Sequence, residues 1–231
     1  MGPATADPPP FIAPDVLIAT RQTLHRVAEH LLAATRKRAT GEITLVQGSG
    51  GFRTPELPDG TVLAVVGTEL VVLGRSGERR IPLTSLAEVA GDAGLEAGFP
   101  WTKHAPATPF EPDAALAVDA SAASALAAWF ATGQQALAAL AAELADEGPS
   151  APQLFPEHFD LGVTAGTVNY GFSPGDEAIA APYAYVGPHE GPPAGDEFWN
   201  APFGAYRTWL DLRSVGEALE FFRAGRSALG M

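Results

Sequence analysis

The residues best suited to chemistry lie between positions 152 and 205, where polar side chains alternate with apolar and aromatic ones. If residues 154–163 form one strand, Leu161 and Val163 point to the same side of it as Phe159, whereas His158 and Asp160 point to the other side. Further polar and aromatic side chains follow on the next predicted strands and extend that second face. The candidates for ligand binding are Asn169, Tyr183, Tyr185, Trp199 and Asn200.

Two chemistries fit this predicted face. In the first, His158 is an acid, a base or a ligand-binding group, Asp160 orients it, and the aromatic residues form apolar walls. In the second, the face chelates a cation through His158 and Asp160, with Asp176 or Glu177 as a further ligand. A structural role is the alternative, because His158 can hydrogen-bond to Asp160 or to a backbone carbonyl. No motif indicates a particular cofactor.

Three other motifs do not support a catalytic interpretation. Residues 171–175 match the Gly-x-Ser-x-Gly nucleophile motif, but Pro174 follows Ser173 and has no N–H for an oxyanion hole, so a turn is predicted. Residues 48–51, Gly-Ser-Gly-Gly, lack the lysine and the following helix of a phosphate-binding loop and predict the end of a strand.

The third motif is a histidine pair in the first predicted helix. His25 and His30 are five residues apart, about 140° around an α-helix, which places them on opposite flanks of the apolar stripe. They therefore cannot share a metal ion, and we expect them at the surface, with Glu29 paired to His25.

The composition narrows the class of protein. The chain has 231 residues, no cysteine and a net charge of −13, which excludes disulfides and thiolate metal sites and disfavours nucleic acid as a partner. The charge is concentrated in the second half, where residues 111–231 hold 16 carboxylates and 4 arginines. No signal peptide and no membrane-spanning run is recognisable, so we expect a cytoplasmic protein without a membrane partner.

The order of predicted elements indicates an α+β fold with antiparallel sheets and packed helices. Helices are expected over about 15–37, 85–93, 119–146 and 214–227, with strands between them. We expect a flexible, proline-rich tail at 1–13 and one compact domain at 14–231. That domain consists of two similarly organised helix–strands–helix halves, at about 14–94 and 119–228.

Several stretches carry a resemblance to a known group of proteins. They read TLHRVAEHLLAA, GGFRTP, QLFPEHFDLG, NYGFSPGDE, PYAYVGP and FWNAPFGA. On these stretches the chain resembles a family of uncharacterised actinobacterial proteins, over most of residues 18–228. The resemblance implies a cytoplasmic bacterial protein and implies no activity, so no catalytic residue is transferred.

Two functions are compatible with these patterns. One is a binding protein or enzyme for a small molecule or a cation, with its site on the sheet face at 153–205. The other is a non-catalytic interaction or structural protein whose acidic surface binds a basic partner. A cavity lined by His158 and Asp160 would favour the first, and a flat acidic face with both residues internally satisfied would favour the second.

Overall fold

The computed structural model describes residues 12–75, 77–100 and 106–231, and confirms the predicted α+β fold. Its contacts divide the chain into two units. The N-terminal unit comprises residues 12–128 as far as they are described, together with Leu154–Phe159; the C-terminal unit comprises Trp129–Gln153 and Asp160–Met231. The predicted tail at 1–13 falls almost wholly outside the described residues.

The N-terminal unit begins with a long helical segment. Helix α1 (Pro14–Val27) leads through a π-helical stretch (Ala28–Ala33) into helix α2 (Ala34–Thr40). Proline at the first position and Asp15 in the first turn suit a helix N-terminus, and Gly41 ends α2 in the left-handed conformation (φ 84°). The predicted helix at about 15–37 is therefore confirmed and extends three residues further.

A five-stranded antiparallel meander follows. Its strands are β1 (Val46–Gly48), β2 (Gly51–Arg53), β3 (Val62–Val66), β4 (Glu69–Gly74) and β5 (Gly77–Pro82), and they lie side by side in chain order. Gly48 pairs with Gly51, so residues 48–51 form a tight hairpin turn between β1 and β2. Helix α3 (Leu86–Ala93) follows its cap, Ser85, whose hydroxyl accepts a hydrogen bond from the Glu88 N–H at 3.2 Å.

The same order of elements recurs in the second half of the chain. Helix α4 (Ala120–Glu143) and a short 3-10 turn (Ala145–Glu147) precede strands β6 to β10, and helix α5 (Val215–Ala228) ends the chain. The strands are β6 (Gln153–Phe155), β7 (Asp160–Ala165), β8 (Val168–Ser173), β9 (Tyr183–Pro188) and β10 (Ala205–Thr208). They form a second five-stranded antiparallel meander, so the recurring helix–strands–helix order is confirmed.

Within the C-terminal unit, helices α4 and α5 cover the apolar face of the second sheet. Trp129 of α4 packs on Phe172 of β8 with ring centroids 4.6 Å apart, and its indole N–H donates to the Ser173 carbonyl at 2.9 Å. Phe222 of α5 packs edge-on against Phe172 and against Tyr170. Burying these rings and the aliphatic side chains beside them decides which face of the strands turns inward.

Candidate functional site

The opposite face of the second sheet carries four of the side chains that the sequence predicted to lie together: Asp160, Asn169, Tyr183 and Tyr185. Gly171 pairs with Tyr185, and Tyr185 pairs with Tyr206 on the next strand, so these three residues share one face. The two-residue period of the strands adds Asp160, Asn169, Ser173 and Tyr183 to that face. The prediction that one side of this sheet is apolar and the other polar and aromatic is therefore confirmed for these strands.

Tyr185 and Asp160 form a polar contact on this face. The Tyr185 hydroxyl donates a hydrogen bond to Asp160 Oδ2 at 2.5 Å, and Asp160 is only 8% exposed. The Tyr185 ring lies across Gly171, where a Cβ atom would come within 2.4 Å of the ring. Burial, followed by the charge of Asp160, raises the pKa of Tyr185 well above its usual value, so the phenol stays protonated as a donor.

A second tyrosine–aspartate pair lies at the end of the same face. The Tyr183 hydroxyl donates to Asp176 Oδ2 at 2.6 Å, and the other oxygen, Oδ1, accepts from the N–H groups of Ala178 and Ile179, both at 2.7 Å. Burial and this contact raise the pKa of Tyr183. The Asp176 carboxylate therefore stabilises a turn at 176–179, within the β8–β9 loop, and also binds the Tyr183 hydroxyl.

Asn169 lies on the predicted face but away from Asp160, because it pairs with Thr164 near the other end of β7. Its Oδ1 atom accepts a hydrogen bond from the Thr164 hydroxyl at 2.8 Å and lies 3.1 Å from His189 Nε2. The structure therefore does not bring Asn169 to the tyrosine–aspartate pairs.

Four rings form a cluster that we call the aromatic face: Tyr183, Tyr185, Phe203 and Tyr206. Tyr183 is at its centre, with ring centroids 6.2 Å from Tyr185, 6.3 Å from Phe203 and 5.7 Å from Tyr206. Tyr183 is buried and Tyr206 is half-buried, whereas Phe203 is 40% exposed. The cluster is thus filled by its own side chains and open to solvent mainly at Phe203.

The predicted placement of His158 on a strand is wrong. Residues 156–159 form a turn, in which the His158 N–H lies 3.3 Å from the Phe155 carbonyl oxygen and Phe159 has a left-handed φ of 53°. Strand β7 begins only at Asp160, so the alternation of faces does not reach His158, which is exposed. Pro156 and the left-handed Phe159 interrupt the extended backbone that the prediction assumed.

The two remaining ligand-binding candidates lie elsewhere. Trp199 packs edge-on against Phe198, and the Phe198 ring stacks on Phe221 of α5, on the helix-covered side of the sheet. Asn200 caps the open edge of β10: its Oδ1 accepts from the Tyr206 N–H at 2.9 Å and its Nδ2 donates to the Tyr206 carbonyl at 3.2 Å. Asn200 therefore satisfies the strand edge that a further strand would otherwise pair with.

The candidate metal ligands are not assembled into a site. Asp160 and Asp176 each hold a different tyrosine, Glu177 is exposed in the β8–β9 loop, and His158 lies in the turn before β7. Within residues 12–75, 77–100 and 106–231 no three histidine, aspartate or glutamate side chains are grouped in a way that could hold a metal ion.

Two histidines that were expected at the surface lie with Glu29 in a polar cluster inside the N-terminal unit. His30 is fully buried, Glu29 is 2% exposed, and His25 stacks on Phe159 with ring centroids 5.3 Å apart, so the surface prediction for the histidines is wrong. The His25 Nε2 atom lies 2.7 Å from the Pro156 carbonyl oxygen and 3.9 Å from Glu29 Oε2. Burial lowers the pKa of His25, against the opposing effect of Glu29.

Glu29 anchors the connection between the first half and α4. Its carboxylate accepts hydrogen bonds from the N–H groups of Ala107 and Thr108, both at 2.8 Å, and from the Thr108 hydroxyl at 2.5 Å. His30 Nε2 lies 3.0 Å from the Thr108 carbonyl oxygen. Because Glu29 and His30 belong to the π-helical stretch, its wider turn changes their direction relative to the α-helical pattern used for prediction.

The charge of the C-terminal unit is strongly unbalanced. Its described residues hold twelve carboxylates and four arginines, and they contain no lysine. Arg223 and Arg226 form ion pairs with Glu143 and Glu147, and Arg207 lies over the rings of Phe198 and Phe221. The fourth, Arg213, donates to the Leu210 carbonyl at 3.3 Å. Each of the four arginines therefore contacts another residue of the same unit. The exposed carboxylates in its loops include Glu177, Glu190, Asp196 and Glu197.

Comparisons with protein families, curated proteins and solved structures found no match, so the resemblance to uncharacterised actinobacterial proteins stays a prediction from sequence. Among the described residues, none of the helices combines the length and the apolar character needed to cross a bilayer.

Proposed function

We propose that this chain is a non-catalytic interaction protein whose acidic C-terminal unit binds a basic segment of a partner protein. The observation that carries the proposal is the engagement of the predicted site residues within the fold. Asp160 and Asp176 hold Tyr185 and Tyr183, and Asn200 caps a strand edge. Residues with these structural tasks are poorly placed to transfer protons or to bind a metal ion.

The charge distribution supports a basic partner. The exposed carboxylates of the C-terminal unit greatly outnumber its arginines, which are all engaged in internal contacts. Such a surface attracts cationic groups and repels nucleic acids and other polyanions. Each exposed charge pair across an interface contributes little, so binding depends on several carboxylates acting together.

The proposal is tested with a fluorescently labelled peptide of alternating arginine and glycine, whose binding is followed by fluorescence anisotropy. The variant E177Q/E190Q/E197Q neutralises three exposed loop carboxylates of the C-terminal unit. The matched control, E42Q/E56Q/D92N, neutralises three exposed carboxylates of the N-terminal unit and makes the same change in net charge.

We expect the wild-type chain to bind the peptide, with an affinity that falls as ionic strength rises. The first variant should lose at least about threefold in affinity, because each lost pair is worth at least about 0.2 kcal/mol. The control variant should lose much less. Absence of binding at low ionic strength, or equal losses for the two variants, would refute the proposal.

A further inference from the structure

Phe203 is displayed to solvent by a rigid turn. Ala201 and Gly204 exchange two backbone hydrogen bonds of 3.0 Å, which leaves Pro202 and Phe203 at the tip of the turn. Gly204 has a φ of 147°, and a Cβ atom there would lie 2.0 Å from the Val186 carbonyl oxygen, so the turn sits directly against β9. The Phe203 ring is 40% exposed at this tip and is therefore accessible to a partner side chain.

The rings beneath Phe203 are suited to attract a cation. Tyr183 and Tyr185 both donate their hydroxyl hydrogens to carboxylates, which makes their rings richer in electrons than those of free phenols. The ring faces carry negative electrostatic potential, and Asp176 adds negative charge at the margin of the cluster. No lysine or arginine of the described chain forms an ion pair with Asp176.

The edge of the sheet beside this cluster is closed to a further strand. Asn200 takes both backbone groups of Tyr206, and the Asp211 carboxylate accepts from the Thr208 N–H at 3.0 Å. A partner segment therefore cannot extend the sheet by backbone pairing along β10. It must approach through its side chains, over the rings.

We propose that the aromatic face, at its exposed Phe203 and half-buried Tyr206, takes an arginine side chain of the basic partner. The inference rests on the function proposed above and names the place where the partner's cation binds. Charge complementarity selects arginine over an apolar side chain, because the unit carries eight more carboxylates than arginines among its described residues. The unit already packs a guanidinium on rings in this way: the Arg207 guanidinium carbon lies 5.8 Å from the Phe198 centroid and 5.5 Å from that of Phe221.

The test compares Phe203→Leu with Phe110→Leu in the same peptide-binding assay. Leucine keeps an apolar side chain but removes the ring, so the Phe203 variant separates a cation–ring contact from ordinary apolar contact. Phe110, which is 47% exposed, lies in the N-terminal unit and serves as the matched control. A second peptide, in which citrulline replaces arginine, removes the charge but keeps the shape of the side chain. Far-UV circular dichroism of each variant confirms that it is folded.

We expect Phe203→Leu to weaken binding of the arginine peptide about two- to fivefold and Phe110→Leu to leave it unchanged. Neither variant should alter the residual binding of the citrulline peptide. If wild type binds the arginine peptide and Phe203→Leu binds it equally well, the aromatic face is not the site, and the acidic surface is then judged by its own triple variants. If wild type does not bind the peptide at all, the proposed function fails together with this inference.

Discussion

Replacing tyrosines of the aromatic face by phenylalanine tests whether Asp160 and Asp176 stabilise the fold through their hydrogen bonds to these tyrosines. Tyr185→Phe removes the hydroxyl that donates to Asp160 Oδ2 at 2.5 Å, on an aspartate that is only 8% exposed. A hydrogen bond to a charged group contributes about 1.5–3 kcal/mol, and this substitution should lower the free energy of unfolding by that amount. The ring itself remains, so little cavity is created.

The other two tyrosines of the face provide a graded series. Tyr183→Phe leaves Asp176 with two backbone N–H donors at 2.7 Å, so its cost should be only about 0.5–1.5 kcal/mol. The Tyr206 hydroxyl makes no hydrogen bond among those of the described residues, so Tyr206→Phe should change stability by less than about 0.5 kcal/mol.

Urea unfolding followed by far-UV circular dichroism measures the three variants against wild type. The expected order of destabilisation is Tyr185→Phe, then Tyr183→Phe, then Tyr206→Phe. A Tyr185→Phe protein as stable as wild type would refute the structural role assigned to Asp160. So would a larger loss for Tyr183→Phe than for Tyr185→Phe.

Three further predictions concern packing, a buried anchor and pH. A Cβ at Gly133 would lie 2.7 Å from Phe172 Cγ, so Gly133→Ala should lower the free energy of unfolding in urea by about 1–2 kcal/mol despite alanine's better helix propensity. Gly91→Ala, where a Cβ would meet no atom within 4 Å, should raise it by up to about 1 kcal/mol. The reverse order would contradict this packing. Glu29→Gln removes one of the carboxylate oxygens that accept hydrogen bonds from residues 107–108, so it should lower the free energy of unfolding by about 1–3 kcal/mol. It should also speed hydrogen exchange at the Ala107 and Thr108 amides. Unchanged exchange would show that Glu29 does not hold this segment. Burial raises the folded-state pKa of Tyr183 and Tyr185, so the folded chain keeps their protons to a higher pH than the unfolded chain does. The free energy of unfolding should therefore be constant with respect to these groups below about pH 10 and fall above it, less steeply in Tyr185→Phe. Equal slopes for wild type and Tyr185→Phe in an alkaline urea series would refute this.

Much of the secondary structure follows from local chemistry. The caps at Ser85 and Ser214 accept hydrogen bonds from residues three positions later, as Ser-x-x-Glu predicts, and Gly94 ends α3 in the left-handed conformation. The apolar runs at 61–66 and 70–73 are strands β3 and β4. Strands β2 and β10 are only three and four residues long, and runs this short show too little alternation of apolar and polar residues to predict a strand.

The candidate site was only partly predictable, and the errors have physical causes. Strand periodicity placed Asp160 and Tyr185 on one face, because alternation holds wherever β7 to β9 are regular. It failed at His158, where Pro156 begins a turn, and a proline inside a predicted strand is a signal against that strand. It also failed at His30, because helical periodicity assumes 3.6 residues per turn and nothing in the sequence shows where a π-helical stretch will form.

The most direct test of the central claim is the affinity of the arginine–glycine peptide for the wild-type chain and for E177Q/E190Q/E197Q at low ionic strength. An acidic interaction surface on the C-terminal unit predicts binding to wild type that weakens at least about threefold in this variant and much less in E42Q/E56Q/D92N. No binding to wild type, or binding that both triple variants weaken to the same degree, would contradict it.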